Sequence, residues 1–425
     1  MKILHLSTND VRSGAARAAY RLHRGLYGQG YDSSMFVDNR YSDDPTVAAF
    51  EPPLDCTSRL SRILRKELIW RKFVRYQTTR PDGCDSFSDD RSEYGATLLR
   101  QLPSSDLIHL HWIAGFVDYR SFFSGIPSHV PIIWTLHDMN PFTGGCHYDQ
   151  GCGRFVERCG ECPQLGSKKV NDLSMRIWKQ KQRIFYRIDP GRLHFVAVSN
   201  WMAAEVKRSS LLGRFSVTII ANGLDTDLFS PRNRAVARSA LQIPENARVV
   251  LFIAHSALDR RKGFTLLAEA LAGMGGIDDL FLLSLGEGKP TLKVEIPHLH
   301  LGYINEDRLL SLIYSSADIF AFPSSQDNLP NSIVESMACG IPVVGFEVGG
   351  IPDLVRHGKT GLLAPLRDIR KLRSALIELL HNPTKRDDMA ALCRRVAQEE
   401  YSYQVQLRRY VDLYETIRGE QTEKP

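Results

Sequence analysis

Residues Phe322–Gly350 read "FPSSQDNLPNSIVESMACGIPVVGFEVGG" and carry, in order, the signals of a loop, a helix and a strand. The apolar run "ADIFAF", which ends at Phe322, predicts a buried strand just before the loop. Gly340 ends the helix that follows, and Pro342 keeps that helix from continuing. The run "PVVGF" then predicts the next strand. A strand, a helix and a strand in this order form the repeating unit of a parallel sheet.

The same order recurs along both halves of the chain. Strands of the first half are predicted at the runs "KILHLS", "SSMFV", "DLIHLHW", "VPIIWTL", "HFVAVS" and "SVTIIA". Strands of the second half are also predicted at "ARVVLFIAHS", "LFLLSLGEG" and "HLHLGYI". A polar stretch near 225–245 separates the two series, and a chain of 425 residues suits two domains. We predict an α/β protein with doubly wound domains over 1–225 and 245–400, and a C-terminal helix over 401–425 that returns to the first domain.

The composition excludes several classes of protein. Hydrophobic residues make up 43% and charged residues 24%, as in ordinary globular proteins. No apolar run reaches the roughly 18 residues that span a bilayer, and the N-terminus lacks the apolar core of a secretory signal. These features predict a cytoplasmic protein, in which disulfides would be rare.

The basic excess is concentrated in one segment, Thr57–Arg80. It holds eight basic residues against a single acidic one, Glu67, with apolar residues interleaved at helical spacing. Such a helix can bind an anionic membrane surface; an ordinary surface helix with solvated arginines is the alternative. Nucleic acid is not expected as a partner, because no recognised binding module accompanies the segment.

Polar residues follow the predicted strands, where open parallel sheets bind their ligands. Asp327 lies in the loop after one strand, and Glu335 falls eight positions later, within a helix that Asn331 or Ser332 would cap. Such a carboxylate can accept hydrogen bonds from the vicinal hydroxyls of a ribose or hexose. Gly349 and Gly350 precede the next helix and would leave amides free for phosphate.

At these motifs the chain resembles the nucleotide-sugar glycosyltransferases of the GT-B fold, and within them the retaining family 4. The likeness extends over nearly the whole chain and includes "SGAARAAYRLHRGL", "WTLHD", "VSNWM", "IANGLDTDLFSP", "RRKGF" and "GKTGLL". The block "WTLHDMNPFTGGC…CPQLG" is similar to the branch that builds colanic acid and related exopolysaccharides. The resemblance implies two Rossmann-like domains facing each other across a cleft. It also implies transfer, with retention, from a UDP- or GDP-sugar to a lipid-linked or growing polysaccharide acceptor at the inner face of the cell membrane.

The resemblance further implies roles for individual residues, with no cofactor required for catalysis. Lys262 would meet the donor pyrophosphate, Asp327 the hydroxyls of the sugar, and Glu335 the nucleotide ribose. His137 would lie near the transferred sugar and the acceptor; a core histidine paired with Asp138 is the alternative. The donor would further contact the residues Gly14, Arg260, Arg261, Gly349 and Gly350.

Three positions depart from the family pattern. Asp327 stands where the family usually has Glu, Ala257 where it has an Arg, and Ser13 where it has the first of two glycines. Arg260 or Arg261 could compensate for the missing arginine. The departures bear on donor identity more than on the class of reaction.

Four cysteines cluster within His137–Pro163, "HDMNPFTGGCHYDQGCGRFVERCGECP". Their spacing is Cys-x5-Cys-x6-Cys-x2-Cys, and the last pair is a good half-site for metal. A structural zinc ion is the first interpretation, with free or redox-labile thiols and then disulfides as the others. The residues concerned are Cys146, Cys152, Cys159 and Cys162.

Two rival functions fit the same donor-binding motifs. A GT-B sugar-nucleotide epimerase would use the donor without an acceptor. A degenerate transferase would only bind nucleotide sugars or polysaccharide, although the presence of Lys262 and Glu335 argues against it. A dehydrogenase is disfavoured because no G-x-G-x-x-G follows the first strand.

Overall fold

The computed structural model describes residues 1–275, 277, 279–292 and 295–422. The chain forms two compact units. Unit 1 comprises Met1–Ala221 together with the chain from Gln406 onward, and unit 2 comprises Asn222–Val405. Each unit contains one parallel sheet with helices, so the predicted α/β class is confirmed.

Unit 1 contains a seven-stranded sheet in the order β3-β2-β1-β4-β5-β6-β7, in which neighbouring strands are parallel. A crossover at the first strand is the arrangement of a Rossmann-like domain. The strands are β1 (Lys2–Asn9), β2 (Asp32–Asn39), β3 (Val47–Ala49), β4 (Leu107–Leu110), β5 (Ile132–Leu136), β6 (Leu193–Ala197) and β7 (Val217–Ile219). The helices are α1 (Gly14–Gly28), α2 (Cys56–Val74), α3 (Tyr119–Gly125), α4 (Leu173–Tyr186) and α5 (Asn200–Arg208).

Unit 2 contains a six-stranded parallel sheet in the order β10-β9-β8-β11-β12-β13. Its strands are β8 (Arg248–Ser256), β9 (Leu280–Glu287), β10 (His298–His300), β11 (Ile319–Phe322), β12 (Val343–Phe346) and β13 (Gly361–Ala364). Its helices are α6 (Arg234–Ala240), α7 (Phe264–Ala272), α8 (Asp307–Ser316), α9 (Asn331–Ala338), α10 (Ile351–Leu354), α11 (Ile369–His381) and α12 (Pro383–Tyr401).

The last helix is α13 (Tyr403–Thr422). From Gln406 onward it belongs to unit 1. Two of its tyrosines are buried against the sheet of that unit. Tyr410 Oη lies 2.8 Å from Thr135 Oγ1 on β5, and Tyr414 Oη lies 2.8 Å from His109 Nδ1 on β4. These contacts satisfy polar groups that would otherwise be buried without partners.

Each strand predicted from an apolar run is present, and two short strands were not predicted. β3 and β13 each lie at an edge of their sheet and have three and four residues. In the part of the chain described here, no helix is long and apolar enough to cross a membrane.

The turn between β1 and α1 contains a strained residue. Ser13 has φ 98° and ψ 158°, a combination that is almost confined to glycine. Its hydroxyl accepts a hydrogen bond from the N–H of Ala16 at 3.4 Å and so caps α1. This backbone conformation is the physical reason why a glycine, the residue that the family resemblance implies at position 13, would suit the turn.

We predict that Ser13→Gly raises the free energy of unfolding by about 1 kcal/mol, because relief of about 1–3 kcal/mol of strain exceeds the loss of the cap. Ser13→Ala should instead lower it by about 1 kcal/mol, because the cap is lost and the strain remains. Urea unfolding followed by tryptophan fluorescence reports on unit 1, which contains all five tryptophans.

Ser199 provides the matched control. It caps α5 in the same way but has an ordinary φ of −142°. Ser199→Gly should therefore not stabilise the protein. A Ser13→Gly protein less stable than the wild type would contradict the strain argument.

Candidate functional site

In unit 2, an arginine and a lysine side chain both contact the carboxylate of Asp327. A single turn, Arg260–Lys262, follows β8, and the Asp259 carboxylate starts it by accepting the N–H of Arg261 at 2.9 Å. The turn brings Lys262 Nζ to 2.5 Å and Arg261 Nη1 to 3.2 Å from Asp327 Oδ2. The structure thus brings together three of the residues predicted from the sequence. Arg260, in the same turn, is exposed.

Asp327 is buried in the loop after β11. Burial alone would raise the pKa of its carboxyl, but Lys262 and Arg261 outweigh that effect and hold the pKa below its usual value. The carboxylate is therefore charged near neutral pH, and it fixes the positions of two cationic groups.

Gly349 and Gly350 hold the backbone of Asp327. A Cβ added at Gly349 would lie 2.0 Å from the Asp327 carbonyl oxygen, and φ is 56°, so the position requires glycine. The N–H of Gly350 donates to the same carbonyl at 3.0 Å. The expectation that the Gly350 amide is free for phosphate is therefore wrong; it pins the loop that carries Asp327.

Glu335 lies on α9 and is only 6% exposed. Tyr314 on α8 donates a hydrogen bond from Oη to Glu335 Oε2 at 3.1 Å. Nothing in the sequence pointed to Tyr314, which reads as one more apolar position of a helix. The predicted cap is also wrong, because Pro330 is the capping residue and Asn331 is the first residue of the helix.

In unit 1, His137 follows β5 and is partly exposed. Its Nε2 lies 3.3 Å from His111 Nδ1, and His111 Nε2 lies 3.0 Å from His5 Nδ1. Burial lowers the pKa of His137 to about 4, with a smaller opposing effect of Asp138. His137 is therefore a neutral imidazole at pH 7, at the end of a row of hydrogen-bonded histidines.

Asp138 pairs with a histidine other than its sequence neighbour. Its Oδ2 lies 2.5 Å from His147 Nδ1 and accepts the indole N–H of Trp112 at 2.8 Å. His147 Nε2 in turn lies 2.8 Å from Ser88 Oγ. The sequence did not single out His147. Its partners come from segments far apart in the chain, and no local pattern reveals them.

The four cysteines of the His137–Pro163 segment line one cavity of about 20 Å³. Burial raises the pKa of Cys159 to about 12 and that of Cys162 to about 11, so both side chains are thiols. The eight cysteines lie within the described residues, and none of them forms a disulfide. No three of the four sulfur atoms lie within 4.8 Å of one another in this structure. Among the described residues, three potential ligand atoms that close together are found at His5, His109 and His111.

Gly14 is the exposed first residue of α1. The predictions that Gly14 and His137 face the donor-binding residues, and that Lys262, Glu335 and their neighbours bind a donor, stay predictions.

Comparisons with known proteins agree with this architecture. Residues 12–228 match the family model described as "Glycosyltransferase Family 4", and residues 247–382 match the model "Glycosyl transferases group 1". The D-inositol 3-phosphate glycosyltransferase of Thermobispora bispora is 31% identical over 41% of this chain and 44% of its own length. The GDP-mannose-dependent alpha-mannosyltransferase of Corynebacterium glutamicum is 30% identical over 40% of this chain and 41% of its own length. The chain thus spans about half the length of the curated relatives it matches.

Solved structures match over almost the entire chain. Sucrose-phosphate synthase from Thermosynechococcus elongatus has a TM-score of 0.68 at 18% identity, covering 98% of this chain and 99% of that one. HepE of Anabaena, determined in complex with UDP and glucose, has a TM-score of 0.65 at 18% identity, with 98% and 99% covered. These likenesses confirm the predicted GT-B fold of two Rossmann-like domains.

The buried histidines predict that acid destabilises unit 1. Burial lowers the pKa of His23 and of His137 from 6.5 to about 4; around His23, Asp44 opposes this shift and Arg24 adds to it. Between pH 6.5 and 4 the unfolded chain binds protons that the folded chain does not, so the free energy of unfolding falls as the pH falls. Each residue contributes at most roughly 3 kcal/mol to this loss.

The measurement is urea unfolding at pH 7.5 and pH 5, followed by tryptophan fluorescence. His23→Gln should reduce the difference between the two pH values, whereas His129→Gln, at an exposed histidine, should leave it unchanged. Equal stability of the wild type at both pH values would show that these histidines are not held neutral.

Proposed function

The chain belongs to glycosyltransferase family 4, and we propose that it transfers a sugar from a nucleotide-sugar donor to an acceptor with retention of configuration. The observation that carries this proposal is the arrangement at Asp327, where two cations are fixed at the end of a parallel strand. Donor contact at Arg260 and Gly349 and, from unit 1, at Gly14 is part of the same proposal.

The chemistry of donor cleavage requires stabilisation of negative charge. When the bond between the sugar and the nucleotide breaks, charge develops on the diphosphate leaving group. Lys262 and Arg261 are held by Asp327 before the donor arrives, so they can stabilise this charge without large reorganisation. The guanidinium can also form paired hydrogen bonds to phosphate. Within the proposal, Asp327 orients these cations and accepts from hydroxyls of the sugar.

Glu335 and His137 have different tasks in this proposal. Glu335 is oriented by Tyr314 and would accept hydrogen bonds from the ribose hydroxyls of the nucleotide. His137, as a neutral imidazole, can both donate and accept a hydrogen bond and would contact the transferred sugar or the acceptor hydroxyl. The donor would be a UDP- or GDP-sugar, in keeping with the names of the mannosyltransferase relative and the HepE complex.

A groove in unit 1 suits a saccharide acceptor. Its volume of about 540 Å³ falls in the range of small-molecule sites. It lies where β1, β2 and β4 end, and α2 forms one wall. Aromatic rings, which can stack on sugars, line much of it: Trp70, Phe73, Phe87, Tyr94 and Trp112.

The outer side of α2 supports a lipid-linked acceptor at an anionic membrane. None of the residues of this helix is buried. Arg65 fixes the helix to unit 1 through Asp118, 2.6 Å away, while an apolar stripe faces solvent. Residues of this stripe are each at least 50% exposed: Leu60, Ile63, Leu64, Leu68 and Trp70. We propose peripheral binding to the inner face of the cell membrane and a role in exopolysaccharide synthesis of the colanic acid type.

The transferase proposal predicts that Lys262→Ala lowers kcat/KM at least 100-fold, because loss of one group that stabilises transition-state charge typically costs that much. Glu335→Gln should weaken donor binding and abolish most of the thermal stabilisation by UDP- or GDP-sugars, which is about 2.7 kcal/mol at 100 times Kd. Sugar transfer is measured by mass spectrometry with a panel of donors and a soluble acceptor analogue.

The matched control is Lys385→Ala, which removes a surface lysine paired with Glu378 in the same unit. It should transfer sugar at the wild-type rate. Unchanged turnover of Lys262→Ala would refute its role. Epimerisation of the donor in the absence of acceptor would instead favour a sugar-nucleotide epimerase. Donor binding without turnover would favour a non-catalytic binding protein.

For the membrane, we predict that the wild type co-sediments with phosphatidylglycerol vesicles at low salt and dissociates at 1 M salt, where the Debye length is about 3 Å. The triple variant Leu60→Ser, Leu64→Ser and Leu68→Ser should lose this binding and keep transfer to a soluble acceptor. Tyr186→Ser is the control, because Tyr186 is 80% exposed elsewhere in unit 1. If the wild type does not co-sediment with the vesicles at low salt, α2 is an ordinary surface helix.

A further inference from the structure

We propose that Cys146, Cys152, Cys159 and Cys162 bind one structural zinc ion in unit 1. All four side chains line the same cavity, although the sequence separates the first from the last by sixteen positions. The cavity of about 20 Å³ holds one particle the size of a water molecule or an ion. The site is distinct from the groove and from the row of histidines, and zinc binding does not depend on whether the chain transfers sugar.

The cavity is a closed, sulfur-rich environment. Cys146, Cys159 and Cys162 are each at most 9% exposed, and Cys152 is partly exposed at the rim. Four sulfur ligands without a vacant position are the donor set of a structural zinc site. A zinc–sulfur bond is about 2.3 Å, so binding would draw the sulfur atoms in from the cavity wall to roughly 3.8 Å from one another.

The backbone supplies a hydrogen-bond donor to one of the sulfur atoms. The N–H of Gly144 lies 3.1 Å from Cys159 Sγ. This approach requires glycine, because a Cβ there would lie 2.3 Å from the Ser174 carbonyl oxygen. Such a donor favours the thiolate over the thiol.

A buried polar group at the same cavity lacks a partner. Gln164 lines the cavity and is 3% exposed, and its Oε1 atom has no hydrogen bond among the described residues. Buried polar atoms without partners are rare, and an amide oxygen can only accept a hydrogen bond, so this atom calls for a donor such as a thiol or a water beside it. With four sulfur ligands the zinc ion has no vacant position for this oxygen, and the zinc assignment therefore rests on the cysteines.

A buried cation balances the charge that the site would carry. Zinc with four thiolates has a net charge of −2. Lys181 is fully buried, and its Nζ donates to the carbonyl oxygens of Asn140 at 2.5 Å and Thr143 at 3.2 Å, in the segment that leads into Cys146. A buried ammonium is costly without an anion nearby; the carboxylates of Asp90 and Asp89 are also close enough to act on Lys181, so the zinc site would share this role with them.

The zinc ion would fix the segment that carries His137 and Asp138. Phe87 lies on the cavity, forms a β-bridge with Cys146, and its neighbour Ser88 donates its N–H to the Gly145 carbonyl at 2.8 Å. Ser88 also holds His147, the partner of Asp138. Zinc binding would therefore add a cross-link to a long irregular segment that hydrogen bonds and apolar packing already hold.

The test begins with full-length protein purified under reducing conditions without chelator. We expect about one zinc per chain by mass spectrometry of the metal, and an X-ray absorption spectrum fitted by four sulfur atoms at about 2.3 Å. Removal of zinc with a strong chelator should increase the number of thiols that react with a thiol reagent by four and lower Tm. Added ZnCl2 should restore both values.

Variants separate specific from adventitious zinc. Cys159→Ser and Cys162→Ser should each reduce the zinc content at least five-fold, whereas Cys56→Ser, Cys84→Ser and the buried Cys393→Ser in unit 2 should not change it. If a loop variant fails to fold, thiol counting on the wild type still decides. Zinc below one-tenth per chain with no response of Tm to ZnCl2, zinc retained by the loop variants, or disulfides among the four cysteines would overturn the proposal.

Discussion

The ammonium of Lys262 and the guanidinium of Arg261 share one oxygen of the buried Asp327 carboxylate, at 2.5 and 3.2 Å. A buried carboxylate without cations costs several kcal/mol, and the two partly buried cations beside it also need an anion. Each group is therefore placed by the others. The Asp327 carbonyl is held in turn by Gly350, and close approach of Gly349 leaves the loop no alternative path. The connections that follow β8, β11 and β12 meet at Asp327. The buried charge of Asp327 is tolerated there because the two cations compensate it.

Unit 1 buries imidazoles as well as ions. In and beside its sheet, burial lowers the pKa of five histidines: His5, His23, His109, His111 and His137. A neutral imidazole has one donor and one acceptor, so neighbouring histidines can pair without charge. The row ends at His5, whose Nε2 has no hydrogen-bond partner among the described residues. At His109, by contrast, Thr135 and Tyr414 occupy both ring nitrogens. In the proposed reaction, unit 2 therefore supplies charge to the donor, and unit 1 supplies neutral hydrogen-bonding groups.

Most of the fold could be predicted from the sequence, because central parallel strands are buried on both faces and read as continuous apolar runs. The edge strands β3 and β13 have three and four residues and were not predicted, whereas the equally short edge strands β7 and β10 lie within longer apolar runs. Among site residues, Lys262 and Asp327 were found through their motifs. Tyr314, His147 and the amide of Gly350 were missed or misread, because their roles depend on hydrogen bonds between segments distant in sequence. The periodicity of apolar residues in helices and strands indicates which side chains are buried. It does not indicate which distant side chain a buried polar group bonds to.

Phe87 connects the features of unit 1 that sequence analysis treated separately. It lines both the cysteine cavity and the groove proposed for the acceptor. On the groove side its ring lies 5.9 Å from that of Phe73 on α2. Around it, one apolar cluster contains Cys162 of the cysteine segment (His137–Pro163), Leu165 just after it, and Leu173 and Ile177 of α4. Closely packed side chains transmit strain. A change in the conformation of the cysteine segment would therefore reach the wall of the groove through Phe87 and helix α2 through Phe73, the helix whose exposed stripe is proposed to meet the membrane.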